Sequence, residues 1–259
     1  MTWRRAAGAA CLVAAVSAAG VVLYAQEGLF GRRREPESQA YGNVEYDGRV
    51  VFVRLRYTSG FGGGFRRRDP GWAHDYPTAD IHLMKIVKEL TVTGPRIDGS
   101  NIFALDDPEL FRYPVAYMSE PGGWSMSDAE ALGLRNYLLK GGFLIFDDFR
   151  DSDWYNLEEQ MRRALPDLRF VQLDATHPIF HSFFEINSLD TLPSYGRTPP
   201  TYYAMFEEND PRKRMLAIAN RDGDLGEYWE YSDSGLDPVD LSNEAYKFGV
   251  NYFIYALTH

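Results

Sequence analysis

An α/β fold with a mostly parallel sheet is predicted by three features of this 259-residue chain. Short apolar runs of strand length alternate with segments whose apolar residues recur at helical spacing. Apolar strands alternating with helices imply a sheet covered on both faces. The third feature is where the runs end. "GGFLIFDDFRD" (141–151) carries four apolar residues, Phe143 to Phe146, straight into Asp147 and Asp148. Open α/β sheets keep their ligand sites at the carboxyl ends of strands, so the expected architecture is flavodoxin-like.

Each element has its own local reason. "VVFVRL" (50–55) is apolar and β-branched, and predicts the first strand. Pro77-Thr78 opens a helix with Ile81, Met84, Val87 and Leu90 on one face. "NIFAL" (101–105) and "PVAYM" (114–118) are short apolar runs bounded by Asp and Pro. Ser127 and Glu130 form a capping box, each satisfying a free backbone donor, ahead of a helix that buries Ala131, Leu134 and Leu138. That helix stops at Gly141-Gly142, where the fourth strand begins. Ser152 is expected to cap the next helix, with Leu157, Met161 and Leu165 inward, and "RFVQL" (169–173) is read as a fifth strand. Two more strands follow, "TYYAMF" (201–206) and "MLAIA" (215–219). A final helix from Ser242 carries Tyr246, Val250, Phe253 and Leu257.

The amino terminus stands apart from this domain. Arg4 and Arg5 precede an uncharged run from Ala6 to Ala25, so residues 1–25 are a secretory signal peptide or, uncleaved, a membrane anchor. Residues 26–48 are polar and aperiodic and read as a flexible linker, which leaves 49–259 as a single α/β domain. The expected location is periplasmic or secreted, with an inner-membrane anchor if the segment is retained. Cys11 is the only cysteine and lies inside this segment. The mature chain therefore has no disulfide, thiolate metal site or cysteine nucleophile. Removing residues 1–25 takes two arginines and no acid, which moves the net charge from −10 to −12. A body this acidic repels phosphate backbones and excludes a nucleic-acid partner.

The residues that follow the strands supply the candidate site. Asp106-Asp107, Ser119-Glu120, Asp147-Asp148 and Asp174 with His177 each end a proposed strand, and a parallel sheet aligns them along one rim. The catalytic candidates are Asp147, Asp148, His177 and Glu120, as metal ligands or as acid and base. The opposing reading is structural, since Asp and Ser favour helix starts for capping and dipole reasons. Adjacent acids exceed what one cap needs. Neighbours on an extended segment point to opposite faces, so one of Asp147 and Asp148 serves structure; Asp148 is the first choice, and the turn can reverse it. Clustered carboxylates repel, so at least one should titrate above the ordinary range.

The other motifs carry less. Gly60 to Gly64 fit neither the P-loop nor the dinucleotide fingerprint, although backbone donors with Arg66–Arg68 could hold an anion. His74-Asp75 follows the first strand and can reach the rim, whereas His82 and His259 are poor ligand candidates. No Gly-x-Ser-x-Gly elbow is present. "NRDGDLGEYWEY" (220–231) reads as a polar turn followed by aromatics, with Trp229 either stacked on a sugar or packed in the core. No cofactor is named by any motif, and the metal content stays open.

Several stretches together resemble a known family. "FVRLRY", "GGGF", "YPVAYMSEPGGW", "YLLKGGFLIFDDF", "HPIF" and "EAYKFGVNYFIYALT", spread over about residues 50–258, look like the bacterial domain-of-unknown-function family 4159 (DUF4159). The resemblance implies a fold similar to class I glutamine amidotransferases and ThuA-like sugar-utilisation proteins. It also implies relatives joined to membrane segments or von Willebrand A-type modules, which favours a cell-envelope role. It brings no reaction. The amidotransferase cysteine sits on a sharp turn after a strand, a setting comparable to Asp147-Asp148, and without a thiol that route to glutamine hydrolysis is closed. "SEPGG" also stands here where relatives carry a glycine-histidine-glycine turn.

Two functions remain open at this point. One is an exported, non-catalytic envelope module that binds a protein or a carbohydrate. The other is a carboxylate- and histidine-dependent hydrolase, with or without metal, acting on an envelope or sugar substrate. Contact with a membrane is expected only through residues 1–25.

Overall fold

In a computed structural model, residues 42–59, 70–193 and 198–259 are described. The signal segment with Cys11, most of the 26–48 linker, and the Gly60–Gly64 and Arg66–Arg68 readings lie outside these residues. The described residues from Gly42 to His259 belong to one compact unit.

The strands are β1 (Val53–Leu55), β2 (Thr58–Ser59), β3 (Asn101–Phe103), β4 (Val115–Ser119), β5 (Trp124–Ser125), β6 (Phe143–Phe149), β7 (Phe170–Gln172), β8 (Thr201–Phe206) and β9 (Met215–Arg221). The helices are α1 (Thr78–Leu90), α2 (Asp128–Leu139), α3 (Asp153–Ala164), α4 (Leu225–Glu230) and α5 (Val239–Thr258). Seven strands form one sheet in the order β3-β1-β4-β6-β9-β8-β7. β3, β1, β4, β6 and β9 pair in parallel, while β8 runs antiparallel to both neighbours. β2 and β5 form a separate antiparallel pair. The fold is therefore mixed α/β with a mostly parallel sheet. The order reverses between β1 and β4, and such a switch point opens a crevice beyond the strand ends.

Alternation along the strands sorts side chains to two faces. Val115, Tyr117, Phe143, Ile145 and Ile218 pack in one core with α1, α4 and α5. Phe146 and Phe149 turn the other way, against Trp124 and Trp154 of α3. Phe253 of α5 is buried in the first core beside Phe52, and Trp229 is packed there as well. The capping box of α2 forms as its sequence demands.

Four details differ from the sequence expectation. α1 turns Ala79, Asp80, Leu83, Met84 and Val87 inward and leaves Leu90 exposed, because Asp80 answers a buried arginine. Ser152 makes no side-chain cap for α3; Asp153 instead accepts the Arg150 N–H at 3.2 Å. α5 begins at Val239 behind Pro238, three residues before Ser242. The fifth strand does not join the fourth, because β9 occupies that place and β7 lies at the sheet edge.

Candidate functional site

The loop after β1 is held from below. Arg54 is fully buried, and its guanidinium forks onto both oxygens of Asp80 in α1. Its remaining donors reach the carbonyls of Trp72, at 3.1 Å, and His74, at 2.7 Å. This planar fork sets the path of the loop and hangs His74 and Asp75 over the strand ends. Tyr57 donates its hydroxyl to the carbonyls of Ser119 (2.9 Å) and Glu120 (2.6 Å), which fixes the chain as it leaves β4. A Cβ at Gly71 would lie 2.7 Å from Glu120 Oε2 and 2.9 Å from Tyr57 Oη, so a side chain there would displace the glutamate or the tyrosine hydroxyl.

Asp147 and Asp148 part company at the end of β6. Asp147 keeps the extended conformation and points under α4. Its Oδ2 accepts from Tyr117 Oη (2.8 Å) and from the N–H groups of Leu225 (2.9 Å) and Gly226 (3.0 Å), and its Oδ1 accepts from Asn220 Nδ2 (2.9 Å). This carboxylate ties β4, β9 and the start of α4 together. Its full burial pushes the carboxyl up to about 6 even against these donors. Asp148 has a left-handed φ of 53°, and the register of β6 against β9 shifts between Phe146 and Phe149. The kink swings Asp148 toward the β1 loop, where its Oδ2 lies 2.8 Å from His74 Nδ1. Alternation alone had favoured Asp148 as the structural member, and the bulge reverses that assignment.

His74 is the centre of an acidic cluster. Its Nδ1 is also 3.3 Å from Asp75 Oδ1 and 3.7 Å from Glu120 Oε1. Asp224 and Glu227, from the start of α4, complete the group: ligand atoms of His74, Asp75 and Glu227 lie within 4.8 Å of one another, as do those of His74, Asp148 and Asp224. Asp75 is 4% exposed, and neither of its oxygens makes a hydrogen bond among the described residues. Asp224 is 2% exposed; Oδ1 accepts the Glu227 N–H, while Oδ2 has no such partner. Burial first, tempered by His74 and Arg54, pushes Asp75 up to about 7. Burial and then the charges of Asp148, Asp147 and Asp75 raise Asp224 well above the carboxylate range. Glu227 is raised too, chiefly by burial. Gly226 makes room for this crowding, because a Cβ there would lie 2.4 Å from Asp75 Oδ2.

Backbone strain concentrates at the same edge. Asp75, Glu120, Asp148, Asp151 and Asp222 have positive φ, and the last four end or directly follow β4, β6 and β9; Glu208 and Asn209, after β8, share this conformation elsewhere. Such conformations cost energy in L residues and gather where a surrounding structure imposes them.

Of the four catalytic candidates, the structure brings Asp148 and Glu120 to His74 and buries Asp147 directly beneath. His177 lies elsewhere. Its ring packs on Phe206 and Tyr255. Phe206 pairs with Met215, the first residue of β9, and Tyr255 packs on Phe143, the first of β6, so this is the amino edge of the sheet. There His177 Nδ1 accepts the Ile179 N–H of its own turn, and burial lowers its pKa. Asp174 is bound up with Thr176, and Asp107 accepts the Glu109 N–H. Asp224 and Glu227 escaped the sequence reading because 220–231 looked like a turn. The rule that flagged the other strand ends also finds them once β9 is known to lie parallel beside β6.

The sequence model of a family described as Domain of unknown function (DUF4159) matches residues 51–257, which is most of the chain. No curated protein matches it. Among the described residues no helix is long and apolar enough to cross a membrane.

Proposed function

The chain belongs to the DUF4159 family, and from that premise we propose that it is an exported hydrolase whose carboxylates and imidazole act at the carboxyl rim of the sheet. The observation that carries this reading is Asp75: a buried carboxyl without a hydrogen-bond donor among the described residues, pushed up to about 7, beside an imidazole that also meets Asp148. A group with that pKa exchanges protons efficiently at neutral pH. In the reaction, Asp148 holds the His74 ring through Nδ1. The imidazole then takes a proton from water as the water oxygen attacks the substrate carbon. Protonated Asp75 gives its proton to the leaving oxygen as the scissile bond breaks. A sugar or other envelope substrate fits the export segment, the acidic body and the resemblance to sugar-utilisation folds.

The second-first-third-fourth order of β3, β1, β4 and β6 also supports a flavodoxin-like, amidotransferase-like ancestry, with Asp148 standing on the sharp turn where those enzymes carry cysteine. The test is hydrolysis of a panel of glycosides and esters by the purified chain, with His74→Ala and Asp148→Asn beside it. Loss of one acid–base group should slow turnover about 10²–10⁴-fold while circular dichroism stays unchanged. If the wild type turns over nothing, or both variants match it, hydrolysis is ruled out. The rim then belongs to a non-catalytic envelope module, the reading that the missing thiol favours.

A further inference from the structure

Resting on the rim described above but not on its acid–base steps, since a ligating His74 cannot also act as base nor a ligating Asp75 hold the proton, we propose that the rim seats one divalent cation, held by His74, Asp148 and Asp224 and completed by Asp75 and Glu227. Acidic clusters are common on protein surfaces, and this one is different in kind. Asp75 and Asp224 are almost wholly buried, yet three of their four oxygens have no hydrogen-bond donor among the described residues. Structural carboxylates in the same domain are satisfied: Asp147 has four donors, and Asp80 has the Arg54 fork. Burying a carboxylate without a partner is costly. A divalent ion placed among these atoms would supply charge and coordination together.

The spacing fits such an ion. Each of the two sets of three has its ligand atoms within 4.8 Å of one another, and His74 belongs to both. Ligands at about 2.0–2.6 Å from one ion lie at most about 4–5 Å apart, so these separations are compatible with a shared ion. Two features of the chain keep the space open: Gly226, where any Cβ would strike Asp75, and the left-handed turn at Asp148, which brings its carboxylate to His74 instead of under α4. The donor set also selects the ion. Oxygen ligands dominate, one imidazole is present, and no thiol exists beyond Cys11. Carboxylate with imidazole suits manganese, iron or zinc and disfavours soft cuprous ions. Solvent reaches the site past His74 and Glu120, whose side chains are 32% and 23% exposed. A substrate oxygen or a water can therefore complete the coordination.

The experiment uses the full-length chain, stripped with chelator and titrated with manganese(II) by calorimetry, with bound ion counted independently by electron paramagnetic resonance. The expected result is saturable uptake of one ion per chain and a higher melting temperature. Asp75→Asn and Asp224→Asn should each weaken uptake at least about tenfold, since even the partners of metal ligands cost about 10–100-fold. Without metal both should melt no lower than the parent, because among the described residues the only hydrogen bond these carboxyls accept is the Glu227 N–H on Asp224, which asparagine can still accept. Glu227→Gln, at a half-buried position, keeps the test informative if either buried variant fails to fold. Glu159→Gln, exposed on α3 and paired only with Arg162, should change nothing. The proposal is overturned if the folded wild type shows no saturable uptake of manganese, zinc, magnesium or calcium. It is equally overturned if uptake survives all three rim substitutions. Uptake without turnover keeps the cation seat and removes the hydrolase reading. Turnover that persists in chelator with no uptake does the reverse.

Discussion

The interior of this domain holds charge in two neighbouring places built on opposite rules. Around Arg54, one cation meets one carboxylate, and Nη1 donates to the carbonyls of Trp72 and His74. A few ångströms along the same loop, His74 faces Asp75, Asp148 and Glu120, and among the described residues three oxygens of Asp75 and Asp224 accept no hydrogen bond. The first arrangement is what a fold builds to stand still. The second is unbalanced by construction, and the balanced one holds it in place, because Arg54 carries the carbonyl of His74 itself. Buried charge that is fully answered is evidence for architecture, and buried charge left unanswered is evidence for a site.

The largest expected effect falls on the balanced side. Arg54→Met leaves Asp80 buried and unpaired and frees the 72–74 carbonyls, and should cost about 3–5 kcal/mol in urea unfolding. Arg54→Met with Asp80→Leu should recover much of that loss, since both charges are gone. Equal urea midpoints for Arg54→Met and the parent would dissolve the contrast between the two regions.

The adjacent pair in β6 gives a sharper test of smaller size. Asp147→Asn puts an amide where backbone donors of α4 converge and should cost about 2 kcal/mol. Asp148→Asn, measured without divalent ions, should change stability by less than about 1 kcal/mol, because the lost contact with His74 is offset by relief of like-charge repulsion. The reverse ranking would make Asp148 the structural acid after all.

The smallest effect is a drift with pH. Asp75 and Asp147 have folded pKa values raised from 3.8 to about 7 and about 6. Raised carboxyl values mean that the folded state binds more protons than the unfolded one, so stability falls as pH rises. The stability these groups contribute is fully present below about 3.8 and is lost progressively as pH rises through about 6 and about 7, then levels off. Melting temperatures in chelator should follow that slope, and added manganese should flatten it. A metal-free protein that grows more stable between pH 5 and pH 8 would contradict the picture of unanswered acids.

Some of this was legible residue by residue. The capping box at Ser127 and Glu130 formed because both partners lie within one turn, and nothing distant competes for them. Ser152 follows the same local rule and fails it, because the sharp exit from β6 leaves the residue in a helical conformation with no cap to make. Glu120 and Asp148 were found at strand ends, and His74-Asp75 was seen to be within reach. His177 was grouped with them because it follows the fifth strand. That strand, at the far edge beyond β8, does run the same way as the parallel row, but the turn after it carries His177 back onto Phe206 at the opposite end of the sheet.

By itself, then, the sequence determined the class of fold, most of the strands and helices, and the acidic character of the strand ends. Periodicity and local hydrogen bonding decide those, and both act over a few residues. Only the tertiary structure decided that β9 inserts beside β6 and carries Asp224 and Glu227 to the rim. It alone decided that Arg54 and Asp80, 26 positions apart, neutralise each other while Asp75, among the described residues, accepts no hydrogen bond. Strand order and charge pairing are settled by contacts between distant segments, where burial makes each unpaired charge costly, and no local pattern encodes which partner arrives.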